Sequence, residues 1–597
     1  MSVESRQRLS VISGPTEPAL LNWTFNDLLQ QRLIQHPKQV AVRSKHQNSH
    51  LTYTELHQYA ENLAAGLYNL GIRNGDRVGV LLGNRLEYAI ILFACSKLGA
   101  YFTLYNYAYT PSELVNAIQA TTPKVLFTTL KTCRYNYEAV LEDLGQSAAC
   151  LRRIILLDDI TGTKVSSVLP QNFTNYKDLL KKASDADILK VKRAQQFVRP
   201  ENILNLQFTS GSTGLPKAAA LTHYGMLNSA RYIGLQMKIR PTDRINVPVP
   251  LFHAFGLVIG LCTAFMYGST IVLPSEYFDA AETIVAIDQY QCTGLYGVST
   301  MFVDMLSHPQ FNSTKRTSLR FGLMAGSAMP DGLLNRVMSQ FPIRDIYTNW
   351  GMTELSSIAT MTTAEDPLEK KMKSAGRLLP GFVAKIVDSA ACPVPWGHRG
   401  EIVVSGFGVM HSYYNQPEQT AQAVRQHDDD SSSSLDKIEK TPPGNRRWMH
   451  TGDEGYLDSE GYFVITGRIK DLIIRGGENI SPLEIEAQLY QHPWIKQCAV
   501  FGVPSPRYGE EVAAILELND TAKRRLSDDE VREWVRKDLS RYKAPIYIWW
   551  LGDAVAGVPD EWPKTANGKL KKDDIKNIGK DLLNRCVLSP GVLRAML

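Results

Sequence analysis

The strongest constraint in this sequence is its regular alternation of short apolar runs with longer amphipathic ones. Residues 54–70 (TELHQYAENLAAGLYNL) place Leu56, Tyr59, Leu63, Leu67 and Leu70 at three- and four-residue steps, the spacing of one helix face. Gly71 follows as a stop signal. After Asn74-Gly75, RVGVLL (77–82) is short and apolar, as a buried strand is; EYAIILFACSKLGA then reads as helix and KVLFTT (124–129) as strand. Strands that alternate with helices pack as parallel sheets covered on both faces, and the pattern runs to about residue 390. The expected class is therefore α/β.

Beyond it the signal changes. EIVVSG (401–406) and GYLDSEGYFVITG (455–467) read as β-ribbon with Gly-centred turns, and the acidic, Ser-rich stretch 426–440 between them as a disordered surface insertion. After Gly467-Arg468 a small α/β unit begins: LEIEAQLY (483–490) as helix, QCAVFGV (497–503) as strand, and SDDEVREWVRKDLS (527–540) as helix capped by Ser527 or Asp528. A chain of 597 residues exceeds one hydrophobic core. We expect a large multi-subdomain N-terminal domain (1–466) with parallel sheets and a β-ribbon or barrel part, a hinge at 467–470, and a small mobile C-terminal domain (471–597).

Composition removes several function classes. The net charge of +5 is dispersed along the chain, which argues against a nucleic-acid partner. Eight scattered cysteines with no CxxC pair suit a reducing compartment better than a disulfide framework or a zinc site. No run of 18 apolar residues suggests a membrane span, and MSVESRQRLSVISG lacks the apolar core of a secretory signal. A cytoplasmic protein is expected. The final Leu597 fits a peroxisomal address, the alternative, although Met596 stands where that signal has a base.

Chemistry concentrates in a few segments. Phe208-Thr209-Ser210-Gly211-Ser212-Thr213-Gly214-Leu215-Pro216-Lys217 follows the apolar ILNLQF. A Gly- and hydroxyl-rich loop after a strand can aim backbone N–H groups and hydroxyls at phosphate oxygens. No Gly-Lys-Ser/Thr ends it, so it is not a Walker A loop. The segment resembles the phosphate loop of adenylate-forming enzymes, the superfamily of acyl-CoA synthetases, peptide-synthetase adenylation domains and luciferases. The resemblance spans about 22–575, with further motifs in the family's order. LYGVSTMFVDML (295–306), MAGSAMP (324–330), SAGRLLPG (374–381) and IIRGGENISPLEIE (473–486) look closest to medium-chain acyl-CoA synthetases.

That resemblance implies roles. Thr209, Ser210, Gly211, Ser212, Thr213, Gly214 and Lys217 would hold ATP phosphates. Tyr347-Thr348-Asn349-Trp350-Gly351-Met352-Thr353-Glu354 matches the adenine and metal motif: Trp350 offers a stacking face beside Asn349, Gly351 and Thr353, and Glu354 with Thr209 would hold Mg²⁺. Ser327 and Ala328 would pass close to the adenine. In Trp448-Met449-His450-Thr451-Gly452-Asp453, Asp453 would grip both ribose hydroxyls, with Arg468 reaching ribose or phosphate. A lone histidine on an apolar stretch is usually a core residue, but His253 in PLFHAFG (250–256) matches the segment bordering the carboxylate pocket, and Val298, Met301, Ser327 and Met352 would shape the acyl site with it. Lys569 in PKTANGK (563–569) would lie between carboxylate and α-phosphate, Lys470 would be the hinge, and Gly476 and Gly477 would line the pantetheine channel.

The implied activity joins a carboxylic acid to AMP and then to the thiol of coenzyme A, with Mg²⁺ as cofactor. A ligase serving a carrier-protein thiol, or an inactive nucleotide-binding scaffold, are the alternatives. Retention of Thr209, Glu354, Asp453 and Lys569 speaks against the scaffold. Three departures from the family pattern stand out: Ala218-Ala219 where relatives have Gly first, Ser299 in place of a proline, and the 426–440 insertion. None removes a group the chemistry needs.

Overall fold

The computed structural model describes residues 8–147, 150–157, 172–209, 217–325, 333–427, 446–475, 478–519, 522–565 and 569–587. Within 54–70 the spacing yields the helix Tyr53–Asn69, started by a capping box in which Thr52 and Glu55 satisfy each other's backbone N–H groups. Its buried face is Leu56, Ala60, Leu63, Ala64 and Leu67. Tyr59, expected on that face, is exposed: the two alanines turn inward and let the next helix approach. That neighbour, Glu87–Leu98, is buried from Tyr88 to Leu98 and contacts Phe25–Gln35, Tyr53–Asn69 and Asp185–Gln195.

Two large sheets carry the N-terminal region. An eight-stranded sheet is parallel through Ile203–Thr209, Tyr101–Leu104, Arg77–Leu81, Val125–Thr128, Arg153–Leu156 and Phe173–Asn175, and is closed at one edge by the antiparallel Lys217–Thr222 and Ser412–Tyr413. A nine-stranded sheet has a parallel centre that includes Thr270–Leu273, Arg244–Asn246, Gly294–Gly297, Phe321–Met324 and Asp345–Trp350. One hydrophobic cluster runs through both. A third, six-stranded sheet is antiparallel and holds Phe382–Val387, Gly400–Gly406 and the hairpin Trp448–Leu457/Phe463–Arg468. The expected β-ribbon is this hairpin, turned at Gly461 with φ of 83°.

From Ile473 the chain builds a separate five-stranded sheet. Along Ile495–Ser505, Cys498 and Val500 enter one apolar cluster while Ala499, Phe501 and Val503 enter another, so the period of two covers both faces. Ser527, not Asp528, caps the helix Asp528–Arg536 in a capping box with Glu530. Glu484 on the helix Pro482–Tyr490 pairs with Arg399 of the antiparallel sheet and with Lys543 of its own unit. Of the expected insertion, residues 428–440 lie outside the described set, whereas His427 is buried against Trp448 and belongs to the fold. No described helix is long and apolar enough to cross a membrane. The C-terminal Ala-Met-Leu lies outside the described residues.

The buried helix holds one poorly matched charge. Lys97 is 2% exposed, and Glu61 approaches its ammonium only to 3.9 Å. Burial drives its pKa down to about 8, with Glu61 countering and Lys192 adding to the fall. The folded state thus binds this proton less tightly than the unfolded chain, so stability rises with pH between about 8 and the ordinary lysine value. Lys97→Met is expected to stabilise the protein at pH 7 by about 1–3 kcal/mol and to flatten that rise. A lower melting temperature for Lys97→Met at neutral pH would instead make the Lys97–Glu61 pair a net stabiliser.

Candidate active site

Two sheets meet at Asp453, the antiparallel six-stranded one that carries it and the nine-stranded one. The hairpin register sets Asp453 opposite Arg468, and Arg468 Nε lies 2.8 Å from Asp453 Oδ1. Trp350, last residue of its parallel strand, donates from Nε1 to Asp453 Oδ2 at 2.7 Å. Asp453 is 6% exposed; burial pushes its carboxyl pKa up, against Arg468, the indole N–H and Lys569. One oxygen therefore already accepts the indole N–H, and the other is held in the Arg468 ion pair. A carboxylate offers about four lone-pair sites, so one remains on each oxygen for further hydroxyl donors.

A bulge shapes this turn. Between the pairs Glu401–Glu454 and Val403–His450, Ile402 alone faces Thr451, Gly452 and Asp453. Gly452 adopts φ of 67°, the left-handed region that disfavours a side chain. Thr451 Oγ1 donates to Ile402 O at 2.6 Å and accepts from Asp453 N at 3.1 Å, which fixes the carboxylate's approach.

Glu354 lies in the short turn Thr353–Leu355 that follows the Trp350 strand. Gly351 enables that turn: a Cβ there would stand 2.4 Å from Ser357 O and Ile358 Cα. Glu354 is 5% exposed, and Tyr413 Oη donates to its Oε1 at 2.8 Å. Among the described residues no donor or cation meets Oε2. Burial and the Glu354 charge raise the Tyr413 hydroxyl pKa, so it stays a donor. Asn349 Oδ1, beside Trp350, is buried with no hydrogen-bond partner among the described residues.

Thr209 ends its strand and pairs in register with Lys217, so the loop between them starts and returns side by side. Ser210, Gly211, Ser212, Thr213 and Gly214 lie outside the described residues, as do Ser327, Ala328, Gly476 and Gly477. Lys217 Nζ stands 5.2 Å from the Tyr413 ring centroid, so this one tyrosine touches both the loop's lysine and Glu354. Ala218 and Ala219 are buried inside the strand Lys217–Thr222 and shape sheet packing rather than a loop exit.

His253 precedes a fully buried π-helix, Phe255–Cys262, a helix type rare outside functional sites. Asn84 holds the approach, accepting from Leu251 N at 2.8 Å and donating to Val249 O at 3.0 Å. His253 Nδ1 accepts from Phe255 N at 3.2 Å, which leaves its proton on Nε2 when the ring is neutral. Burial, then Lys569, brings its pKa down to about 4, so neutral it is. Val298 and Met301 are buried and Met352 is half-buried on the same apolar cluster, and Ser299 starts the helix Ser299–Ser307.

Lys569 completes the arrangement from the C-terminal unit. Its backbone N–H donates to Thr565 Oγ1 at 3.1 Å, while its side chain keeps a solvent-exposed surface. The protein around it lowers its pKa, Arg468 adds to that, and Asp453 opposes it. Lys569, Asp453, Arg468 and His253 therefore share one electrostatic neighbourhood although 316 positions separate the first from the last. Lys470, in the turn Ile469–Asp471, lies 3.5 Å from Asp573, and Arg475 is paired with Glu511 at 2.6 Å. Sequence reasoning missed Tyr413 and the direct Trp350–Asp453 bond. Nothing in SYYNQPEQT (412–420) marks its first tyrosine as a carboxylate partner.

The profile of the AMP-binding enzyme family matches residues 29–414, and that of the AMP-binding enzyme C-terminal domain matches 484–569. An acyl-CoA ligase of Beauveria bassiana, sidI, is 38% identical over 580 residues, covering 97% of this chain and 96% of the relative. The Aspergillus fumigatus acyl-CoA ligase sidI is 37% identical, covering 97% and 95%. The mitochondrial medium-chain acyl-CoA ligase ACSF2 of Bos taurus is 30% identical, covering 96% and 90%. The crystal structure of an anthranilate CoA ligase, AuaEII, with anthranoyl-AMP superposes with a TM-score of 0.79 at 22% identity, over 96% of this chain and 100% of that one. The α/β architecture expected from strand and helix alternation is thus the fold of known adenylate-forming enzymes, and the chain belongs to the AMP-binding enzyme family as an AMP-forming acid–CoA ligase, using ATP and coenzyme A.

Proposed function

We propose that this chain activates a medium-chain aliphatic acid, with Lys569 as the cation that lets carboxylate and α-phosphate meet. The observation that carries the reading is the convergence of Lys569, Asp453, Arg468 and His253 from both units of the chain. In adenylation a carboxylate oxygen bonds to the α-phosphorus as the bond to pyrophosphate breaks. Two anions approach, so the protein's work is positioning and charge neutralisation. Neutral His253 can donate from Nε2 to the carboxylate, and the Lys569 ammonium can bridge carboxylate and phosphate. Asn349 Oδ1 has an open acceptor for an amino group such as adenine's. In the second step the coenzyme A sulfur bonds to the acyl carbon and AMP leaves. We assign that step to a swing of 471–597 about 467–470, with Gly476 and Gly477 lining the thiol's path.

The donor set suits Mg²⁺. Among the described residues Glu354 is a buried carboxylate with one oxygen unclaimed, and the Thr209 hydroxyl has only a long 3.4 Å contact to Lys217 O. Both are hard oxygen ligands. Bound there, the ion would neutralise phosphate charge, while Tyr413 holds Glu354 in place.

With the neutral His253, the apolar Val298, Met301 and Met352 that the family resemblance assigns to the acyl site favour an acid whose remainder carries no charge. The name of the ACSF2 relative supports medium chain length.

Lys569→Ala is expected to slow adenylate formation about a hundred- to a thousand-fold. The wild-type rate should also fall on its alkaline side below the ordinary lysine range, because the site lowers the pKa of Lys569. Unchanged ATP–pyrophosphate exchange in the variant would remove Lys569 from the mechanism. Trp350→Phe keeps a stacking face and deletes only the donor to Asp453. The Michaelis constant for ATP should rise about three- to tenfold, with kcat moving less; an unchanged constant would show that the indole N–H is dispensable. Across saturated acids of graded length, exchange should peak at medium chains. A peak at an aromatic or dicarboxylic acid would replace the substrate assignment.

A further inference from the structure

Behind the Asp453 turn lies a chain of side chains that no nucleotide contact requires. The bulge interrupts the pairing of Thr451, Gly452 and Asp453 with the strand Gly400–Gly406, and side chains satisfy backbone groups there. Glu401 does part of this: its Oε1 accepts from Gly452 N at 3.0 Å, and its Oε2 lies 2.9 Å from His450 Nδ1. His450 Nε2 in turn lies 3.0 Å from His427 Nε2. The His427 ring stacks on Trp448, centroids 5.5 Å apart and planes 20° from parallel, and the Lys385 ammonium stands 4.2 Å from the centroid of the Trp448 ring. Both histidines are 9% exposed. Among the described residues no three metal-ligating groups converge on one point, so this is a hydrogen-bond chain and not an ion cage.

Proton placement orders the chain. Burial works against the Glu401 charge, but the contacts from His450 and Gly452 outweigh it and hold the carboxyl below its ordinary pKa. An ionised carboxylate only accepts, so His450 carries a proton on Nδ1. When Nδ1 carries the only ring proton, Nε2 is bare and His427 donates to it from its own Nε2; when both nitrogens are protonated, the same contact runs from His450 to His427. A histidine aimed by a carboxylate on one side and a fixed donor on the other has one tautomer and one orientation.

We propose that His427 is a positioning residue for the nucleotide site: through His450 and Glu401 it holds the Thr451-Gly452-Asp453 bulge, and so sets where the Asp453 carboxylate meets the ribose. The inference rests on the proposed ribose contact of Asp453. His427 lies outside the Trp448–Asp453 motif, inside the stretch 426–440 that the sequence marks as a disordered insertion, where sequence reading offers no reason to look.

The test compares ATP with 2′-deoxy-ATP in adenylate formation by the full-length enzyme. His427→Phe keeps a ring on Trp448 and lacks the donor; His427→Gln keeps an amide donor near the Nε2 position and lacks the ring. His427→Phe should raise the Michaelis constant for ATP about three- to tenfold, leave kcat within about twofold, and shrink the preference for ATP over 2′-deoxy-ATP. His427→Gln should restore most of that preference. Asp453→Asn serves as the reference and should lose the preference as well. If Asp453→Asn loses it while His427→Phe keeps the wild-type ratio, the proposed relay is wrong. Equal damage in the Gln and Phe variants, or a parallel loss of kcat and affinity for both nucleotides, also overturns it, because either means that the ring only fills space. If Asp453→Asn keeps the preference, the ribose reading itself fails, and the relay with it.

Discussion

The buried carboxylate of Asp453 is the constraint around which the rest of the site is arranged. A charge removed from water needs donors, and Asp453 has two before any nucleotide arrives: the Trp350 indole and the Arg468 guanidinium. They come from different parts of the fold. Trp350 ends a strand of the nine-stranded sheet, and Arg468 ends the antiparallel hairpin just ahead of the C-terminal unit. Satisfying one carboxylate therefore ties the hairpin to a strand about a hundred positions earlier in the chain.

The same logic explains the charge pattern of the cleft. Lys569 is held near Arg468, which lowers its pKa, and near Asp453, which partly offsets that. A cation crowded by another cation is poorly satisfied until an anion joins them. Glu354 is the mirror case, a buried carboxylate with an open oxygen among the described residues. A site with an under-neutralised cation at one point and an under-neutralised anion at another favours a ligand that brings both signs, such as a metal-bound nucleotide triphosphate beside a carboxylate. The charges are thus preorganised for the reacting complex at the expense of the empty protein.

Much of the fold could be read from periodicity. The step of three and four residues located Tyr53–Asn69, and the short runs after it located parallel strands, because a helix buries one face and a parallel strand both. Where burial is complete, periodicity carries less. Glu87–Leu98 is apolar all round, and only its neighbours show why it tolerates Lys97. Tyr59 was misassigned because alanines, silent in a hydrophobic pattern, decide which side a neighbouring helix can approach. The candidate site was legible where a motif is contiguous, as with Trp350, Glu354 and Asp453. Contacts between distant segments were not: Tyr413 reaches Glu354 across 59 positions, and His450 reaches Glu401 across 49.

Trp350 shows what a single substitution within a motif can change. A tyrosine in this place would both donate and accept, whereas an indole N–H only donates. Against Asp453 the indole fixes the direction of the bond and leaves the remaining lone pairs to ribose hydroxyls. It also stands on the end of a sheet strand, so its support does not depend on where the C-terminal unit sits. Arg468 differs, since the turn Ile469–Asp471 follows it directly, at the place about which the swing is proposed. Under that proposal one support of the carboxylate stays constant and the other would depend on domain orientation. In the proposed two-step reaction the strength of the nucleotide grip then varies with the swing: strongest with Lys569 over the site, and weaker when AMP must leave.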